Sequence, residues 1–228
     1  IHYCGGGVIK SRTQACKLLT EITRMTGAPI TLTLMGLGAY PASDNQYLGM
    51  VGMHGTYESN MSMHDCDVMV AIGARFDDRV TGNLDFFAPN SQKIQIDIDQ
   101  SSINKNVPVD IGIVGDVGHV LEDMIKIWKA KQYKIEASAL DGWWKEIEGW
   151  RSKRCLSYKQ PKDVIKPQHV IRSIHAATRD RKTYITTDVG QHQMWAAQHF
   201  GFEHPYEWMT SGGLGTMGYG MPAALGVQ

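Results

Sequence analysis

Apolar positions along this chain follow two different periods, and the two alternate. Residues 67–72 (DVMVAI) form a continuous apolar run of strand length, the pattern of a strand buried on both faces of a parallel sheet. Residues 1–4, 30–34, 93–98 and 110–114 predict further strands. Val117, Val120, Leu121, Met124, Ile125 and Trp128 recur at the spacing of one helix face, so residues 117–128 predict a helix. Leu18, Leu19, Ile22 and Met25 do the same for residues 11–25, where Gly27 and Pro29 supply the stop. Strands alternating with helices predict an α/β architecture with a doubly wound parallel sheet.

The pattern changes after residue 131. Residues 132–166 are charged and carry one helical piece (Trp143, Trp144, Ile147, Trp150) before Lys159, Gln160, Pro161 and Lys162. They read as a connection between domains. A second α/β unit opens near Pro167. It runs through a helix over 168–178, a strand over 183–187, a loop into a helix over 189–198 and a strand over 206–210. A Gly-rich stretch over 211–220 and a final helix follow. The expected organisation is a first domain over 1–131, a connection over 132–166, and the N-terminal part of a second domain over 167–228. Ile1 opens directly into a strand and Gln228 closes a helical run without a stop signal, so both ends read as cuts through a longer chain.

Composition narrows the function classes. The 228 residues carry 23 Lys plus Arg and 23 Asp plus Glu, a formal net charge of zero. That leaves no electrostatic footprint for nucleic acid or for an anionic membrane, and no apolar run reaches the length of a membrane span. Cys4, Cys16, Cys66 and Cys155 form no CxxC pair and have no His at zinc-ligand spacing. They read as reduced, buried thiols of an intracellular protein rather than a disulfide framework.

The candidate chemistry gathers at strand ends, where open parallel sheets bind ligands. Gly5, Gly6 and Gly7, then Gly36 and Gly38, the stretch from Gly73 to Arg79, Asp97 to Asp99, and Gly115 with Asp116 each follow a predicted strand. Gly allows close backbone approach, and N–H groups there can cradle a diphosphate. Five such ends in series point to a long dinucleotide-type ligand, although the Gly5–Gly7 run is not GxGxxG. Asp97, Asp99 and Asp116 could accept from ribose hydroxyls; Asp99 and Asp116 also precede helices and could be N-caps. Residues 75–79 pack four charges after a buried strand, and the guanidinium groups of Arg75 and Arg79 suit phosphate or carboxylate. His54 stands in a Gly-flanked loop with no evident partner for base chemistry. In the second unit, residues 188–193 and 211–218 each lead from a strand into a helix and suit diphosphate binding at a helix N-terminus.

Four of these blocks, residues 36–56 (GLGAYPASDNQYLGMVGMHGT), 74–82 (ARFDDRVTG), 189–198 (VGQHQMWAAQ) and 211–226 (SGGLGTMGYGMPAALG), closely resemble the acetohydroxyacid (acetolactate) synthase catalytic-subunit family. The resemblance runs over essentially the whole chain, and RFDDRVTG is its most specific element. It implies that residues 1–131 are a central FAD-binding-type, Rossmann-like domain and that residues 167–228 begin the thiamine-diphosphate-binding domain. FAD contacts are then implied at Gly5, Gly6, Gly7, Thr33, Leu34, Gly52, Met53, His54, Gly73, Ala74, Arg75, Asp77, Arg79, Val80, Asp97, Ile98, Gly115, Asp116, Gln193 and Met194. Thiamine diphosphate contacts are implied at Val189, Gly190, Gln191, His192, Gly215 and Met217. Met217 would prop that cofactor in its bent form, and Arg79 would act in the acceptor step.

The implied activity decarboxylates pyruvate on thiamine diphosphate, with Mg²⁺ and FAD bound. The two-carbon unit is then joined to pyruvate or 2-oxobutyrate, on the way to valine, leucine and isoleucine. The resemblance further implies a homodimer or homotetramer, a possible small regulatory subunit, and a cytoplasmic setting in bacteria or an organellar one in eukaryotes. The activating Glu and the Mg²⁺ ligands of the family fall outside these residues, so no metal ligand is assigned and the chain alone is expected to be inactive. Two rivals are a flavin redox enzyme of the same architecture and a non-catalytic nucleotide-binding module. RFDDRVTG and GMHG speak against the first, and the intact VGQHQ and GLGTMG blocks against the second.

Overall fold

The computed structural model describes the backbone of residues 1–228 and every side chain except that of Ala137. Its main sheet has six strands: β1 (His2–Cys4), β2 (Ile30–Leu32), β3 (Tyr47–Met50), β4 (Val68–Ile72), β5 (Gln92–Asp97) and β6 (Ile111–Val114). They lie in the order β3-β2-β1-β4-β5-β6, and every neighbouring pair is parallel. This is the order of a doubly wound dinucleotide-binding sheet, with its switch point between β1 and β4. The predicted fold class is therefore the observed one.

Helices cover both faces. After β1 come α1 (Gly6–Lys10) and α2 (Arg12–Thr26), separated by Ser11, with Arg12 at φ 72° opening α2. Gly27, at φ 64°, closes α2 in the left-handed conformation that only Gly adopts without penalty. Next come α3 (Tyr57–Asp65), α4 (Asp78–Thr81) and α5 (Val117–Ala130). Leu19 and Ile22 of α2 and Leu121 and Ile125 of α5 pack on one face with Ile30, Leu32 and Ile96 of the sheet. Tyr3, Leu48, Met63, Met69 and Phe76 form the core on the other face. Each such side chain, removed from water, stabilises the fold by roughly 1.5–3 kcal/mol before entropy is counted.

The segment after residue 131 is more than a bare connection. Its helix α6 (Ala137–Arg151) lies against α3 and sinks Ile147, at 0% exposure, into the second core. Trp144 Nε1 donates to Gly27 O at 3.0 Å, and Arg151 Nη2 donates to the carbonyls of Asn45 and Tyr47. The second unit contains α7 (Pro167–Thr178), β7 (Ile185–Thr187), α8 (Gln191–His199), β8 (Trp208–Thr210) and α9 (Gly220–Val227), with β7 and β8 pairing in parallel. Ala196, Phe200, Phe202 and Trp208 share a core with α2 and β2, so apolar packing joins the two units.

The short helices α1 and α4 go beyond the periodicity reading, and so do β3 and α3. Strand β3 is only four residues long and contains Gly49 at φ 98°. Helix α3 buries Ser59 and Ser62 towards the sheet, and the Ser59 hydroxyl donates to Met50 O at 2.7 Å. A helix whose inner face is largely polar has no continuous apolar stripe to detect. The cysteines need one correction: Cys4, Cys16 and Cys66 are buried, but Cys155 is exposed. It lies beyond α6, where its sulfur takes the Tyr57 N–H.

Candidate functional site

Parallel strands direct all their C-terminal ends to one edge. The strand order therefore sets the implied FAD residues in a row: Gly52–His54, then Thr33 and Leu34, Gly5–Gly7, the 73–80 stretch, Asp97 with Ile98, and Gly115 with Asp116. Six strands at about 4.8 Å spacing span roughly 24 Å, a length suited to an extended dinucleotide. Met35, Met53, Ile98 and Val114 stand exposed along this edge. An apolar, ring-bearing ligand fits that row.

The glycines at the switch point serve packing first. A Cβ on Gly5 would lie 2.3 Å from Gly73 O, and one on Gly7 would lie 2.7 Å from Gly73 Cα. The Gly5 N–H donates to Ile72 O and the Gly7 N–H to Gly73 O, both at 3.0 Å. These two amides are spent on the protein and do not cradle a phosphate. The Gly residues let the β1 and β4 turns touch, which shapes the crevice floor.

The charged stretch after β4 is tightly organised. Phe76 sits at φ 54°, an unusual backbone for a bulky residue, with its ring buried 5.6 Å from Tyr3 and 6.0 Å from Phe87. Asp77 caps α4 through the Arg79 N–H and receives Arg75 Nη2 at 2.6 Å. Partial burial works against ionisation of Asp77, but the Arg79 N–H, Asp78 and Arg75 outweigh it and hold its carboxyl below the usual range. The Arg75 guanidinium is thereby engaged, although largely exposed. Arg79 is exposed and makes no ion pair among the described residues. Its side chain borders a cleft of about 420 Å³ shared with Met53, Asn60, Met63, His64 and Phe86.

The acidic residues at the strand ends act as caps and turn acceptors within the protein. Asp116 caps α5, accepting from the N–H groups of Gly118 and His119 and from the Ser11 hydroxyl at 2.7 Å. The Ser11 hydroxyl is the largest cause holding its carboxyl below the usual range. Asp99 accepts from Ser101 N and Oγ, and Asp97 Oδ1 accepts from Asp99 N at 2.9 Å. Gln193 is 4% exposed, and its amide donates to Thr210 Oγ1 at 2.7 Å, bonding β8 to α8. A side chain so placed packs the second unit.

The second unit's loops have a different character. Gly190 precedes α8 at φ 152°, and no side chain caps that helix. An uncapped helix start after a parallel strand leaves N–H groups for an anion, and Val189, Gly190, Gln191 and His192 surround it. Asp188 turns away and accepts from Gly220 N at 2.9 Å, and this bond keeps its carboxyl below the usual range. Between β8 and α9 the chain holds Gly215 at φ 67° and Gly218 at φ 81°. Met217 is 76% exposed and Leu214 97% exposed in this loop, as an apolar wedge for a cofactor ring would be. Among the described residues no group of three or more His, Cys, Asp or Glu could hold a metal ion, so no step is assigned to Mg²⁺ here. No helix is long and apolar enough to cross a membrane.

The profile described as "Thiamine pyrophosphate enzyme, central domain" matches residues 1–124, and that of the "C-terminal TPP binding domain" matches residues 188–228. The acetolactate synthase large subunit of Haemophilus influenzae is 47% identical over 228 residues, covering 100% of this chain and 39% of its own length. The acetolactate synthase isozyme 3 large subunit of Escherichia coli is 48% identical over 229 residues, with the same two coverages. The acetolactate synthase of Mycobacterium leprae is 42% identical over 230 residues, covering 36% of its own length. The chain thus spans about two fifths of the length of these curated relatives. The central-domain match alone takes in more than half of the chain, and the chain belongs to the thiamine pyrophosphate enzyme family.

Proposed function

We propose that this chain is the central part of an acetolactate synthase catalytic subunit. In that role the whole protein is a transferase that decarboxylates pyruvate and joins the two-carbon unit to pyruvate or 2-oxobutyrate, in branched-chain amino acid biosynthesis. The observation that carries this reading is 47% identity to an acetolactate synthase large subunit across the entire chain. The geometry supports it: one edge suits FAD and an uncapped helix start suits a diphosphate. Residues 1–131 then form the FAD-binding-type domain, residues 132–166 the connection, and residues 167–228 the start of the thiamine-diphosphate domain.

Bound thiamine diphosphate would supply the carbanion chemistry that the amino-acid side chains lack. Val189, Gly190, Gln191 and His192 would hold its diphosphate at the start of α8, and Gly215 and Met217 would flank its rings. The exposed strand-end side chains would hold FAD and exclude water from the edge. Arg79 carries an exposed guanidinium with no ion-pair partner among the described residues, and it would bind the carboxylate of the acceptor keto acid. The name "large subunit" borne by the relatives favours a small regulatory partner. A homodimer or homotetramer in an intracellular setting completes the reading.

The test uses the full-length protein with thiamine diphosphate, Mg²⁺, FAD and pyruvate. Acetolactate is expected, without net FAD reduction per turnover, while the 228-residue chain alone forms none. Absence of acetolactate from the loaded full-length protein, or stoichiometric flavin reduction, would refute the proposal.

A further inference from the structure

The loop between β3 and α3 lies beside Arg79, and its backbone is held at every residue. Gly52 N donates to Asn60 Oδ1 and Asn60 Nδ2 donates back to Gly52 O, both at 2.9 Å. Met53 N donates to Arg79 O at 2.8 Å, and Gly55 N donates to Gly52 O at 2.9 Å. All of these bonds stay inside the first unit. The remaining anchor comes from the second: Gln198 Nε2 donates to His54 O at 2.8 Å.

Gln198 sits near the C-terminal end of α8, seven residues after Gln191 at its start. At about 1.5 Å rise per residue, the helix carries roughly 10 Å from the proposed diphosphate loop to this contact. Beneath the contact lies a mainly apolar cavity of about 100 Å³, bordered by Leu37, Tyr47, Met50, Leu156 and Ala197. Packing alone does not fix the loop against α8 where such a gap remains. The hydrogen bond is the direct constraint.

From this geometry we infer that Gln198 is a positioning residue, which ties the 52–55 loop, and through Met53 the backbone of Arg79, to the helix that opens on the diphosphate loop. The inference rests on the function proposed above and deepens it. Helix α8 acts as a strut between the group that holds the cofactor and the cation that receives the acceptor. Loss of the strut leaves both groups present but loosens the distance between them, so it weakens acceptor binding more than decarboxylation.

The experiment compares Gln198→Met, which keeps the length and loses the donor, with Gln198→Lys, which restores a donor, both in the full-length protein. Gln198→Met should raise the KM for 2-oxobutyrate about five-fold, the equivalent of about 1 kcal/mol at about 1.4 kcal/mol per tenfold, with pyruvate decarboxylation little changed. Amide hydrogen exchange at residues 53–55 should quicken by a similar factor, and Gln198→Lys should recover both. Unchanged exchange in Gln198→Met overturns the inference. So does a lower melting temperature with KM unmoved, or a Gln198→Lys protein that behaves like Gln198→Met. If the wild-type protein forms no acetolactate, the proposed function fails by itself, and the exchange comparison still decides whether Gln198 holds the loop.

Discussion

Glycine crowds both the C-terminal edge of the six-stranded sheet and the loop after β8, but the backbone uses it for opposite reasons in the two places. At the sheet edge Gly5, Gly7 and Gly73 press on one another, and a Cβ on any of them would meet backbone within 3 Å. Gly52 likewise sits against Arg79 O, where a Cβ would lie at 2.5 Å. In the loop after β8, Gly213 and Gly218 have nothing within 4 Å of where a Cβ would stand. The first region is closed by its glycines and offers its chemistry through side chains around them. The second packs at Gly212, where a Cβ would meet Met35 Sδ at 2.3 Å, and opens at Gly213 and Gly218, whose backbone is free to meet a ligand. Sequence composition alone cannot separate these cases, because a turn that must touch a neighbour and a turn that must stay clear are both spelled with Gly.

The comparison breaks most visibly at Gly5. Gly5→Ala forces a Cβ to within 2.3 Å of a backbone oxygen beside a central strand. Neither β1 nor β4 can retreat without losing its pairing. A destabilisation of about 3 kcal/mol or more is expected, read as a fall in the urea midpoint of the chain. A midpoint unchanged from wild type would show that the turns have slack. The next largest effect concerns the reach of this closed region. Ile147→Ala removes a fully buried side chain of α6 and should cost about 2–4 kcal/mol, as for a core residue. A cost below about 0.5 kcal/mol, typical of surface sites, would return α6 to the status of a linker.

These two sites also mark how far the chain could be read from its residues. The 67–72 run and the 117–128 stripe became β4 and α5 because their burial is apolar and periodic. Asp99 and Asp116 became N-caps, as their place before helices allowed. Helix α3 escaped because serines line its buried face, and β3 because Gly49 interrupts a four-residue strand. Ile147 and the Trp residues around it were visible as a helical stripe. Their target in the first unit was not, because tertiary partners leave no local period. At the candidate site the strand ends were legible. The spending of the Gly5 and Gly7 amides was not, nor the inward turn of Gln193, since both depend on chain segments brought together only by folding.

Arg79 sharpens the closed side of the comparison at a middle scale. The backbone around it is fixed, yet its side chain is exposed, so a substitution there should change chemistry and leave the fold alone. A guanidinium grips a carboxylate through two parallel bonds, whereas an ammonium is a point charge. In the full-length protein Arg79→Lys is expected to lower carboligation efficiency roughly ten- to a hundred-fold, the equivalent of about 1.5–3 kcal/mol. Pyruvate decarboxylation should survive better than transfer to the acceptor. Wild-type carboligation with both acceptors, or a loss that FAD saturation fully restores, would place Arg79 outside the acceptor step.

The smallest expected effect lies at Gly213, on the open side. Its Cα bears no strain that only Gly relieves, for its φ is not among the positive values that mark Gly218 and Gly215. A methyl group there meets no atom within 4 Å. Gly213→Ala therefore removes no contact and adds no clash, and it narrows the choices of the unfolded chain, which favours the folded state slightly. The urea midpoint of the 228-residue chain should imply a change within about 0.5 kcal/mol of wild type. Gly218→Ala, at φ 81°, is the control: equally open in space, it should still cost about 1 kcal/mol, because a Cβ in the left-handed region strains the backbone. If Gly213→Ala proved as costly as Gly5→Ala, the loop after β8 would be closed against something in its own chain. The contrast between a packed edge and an open loop would then be wrong.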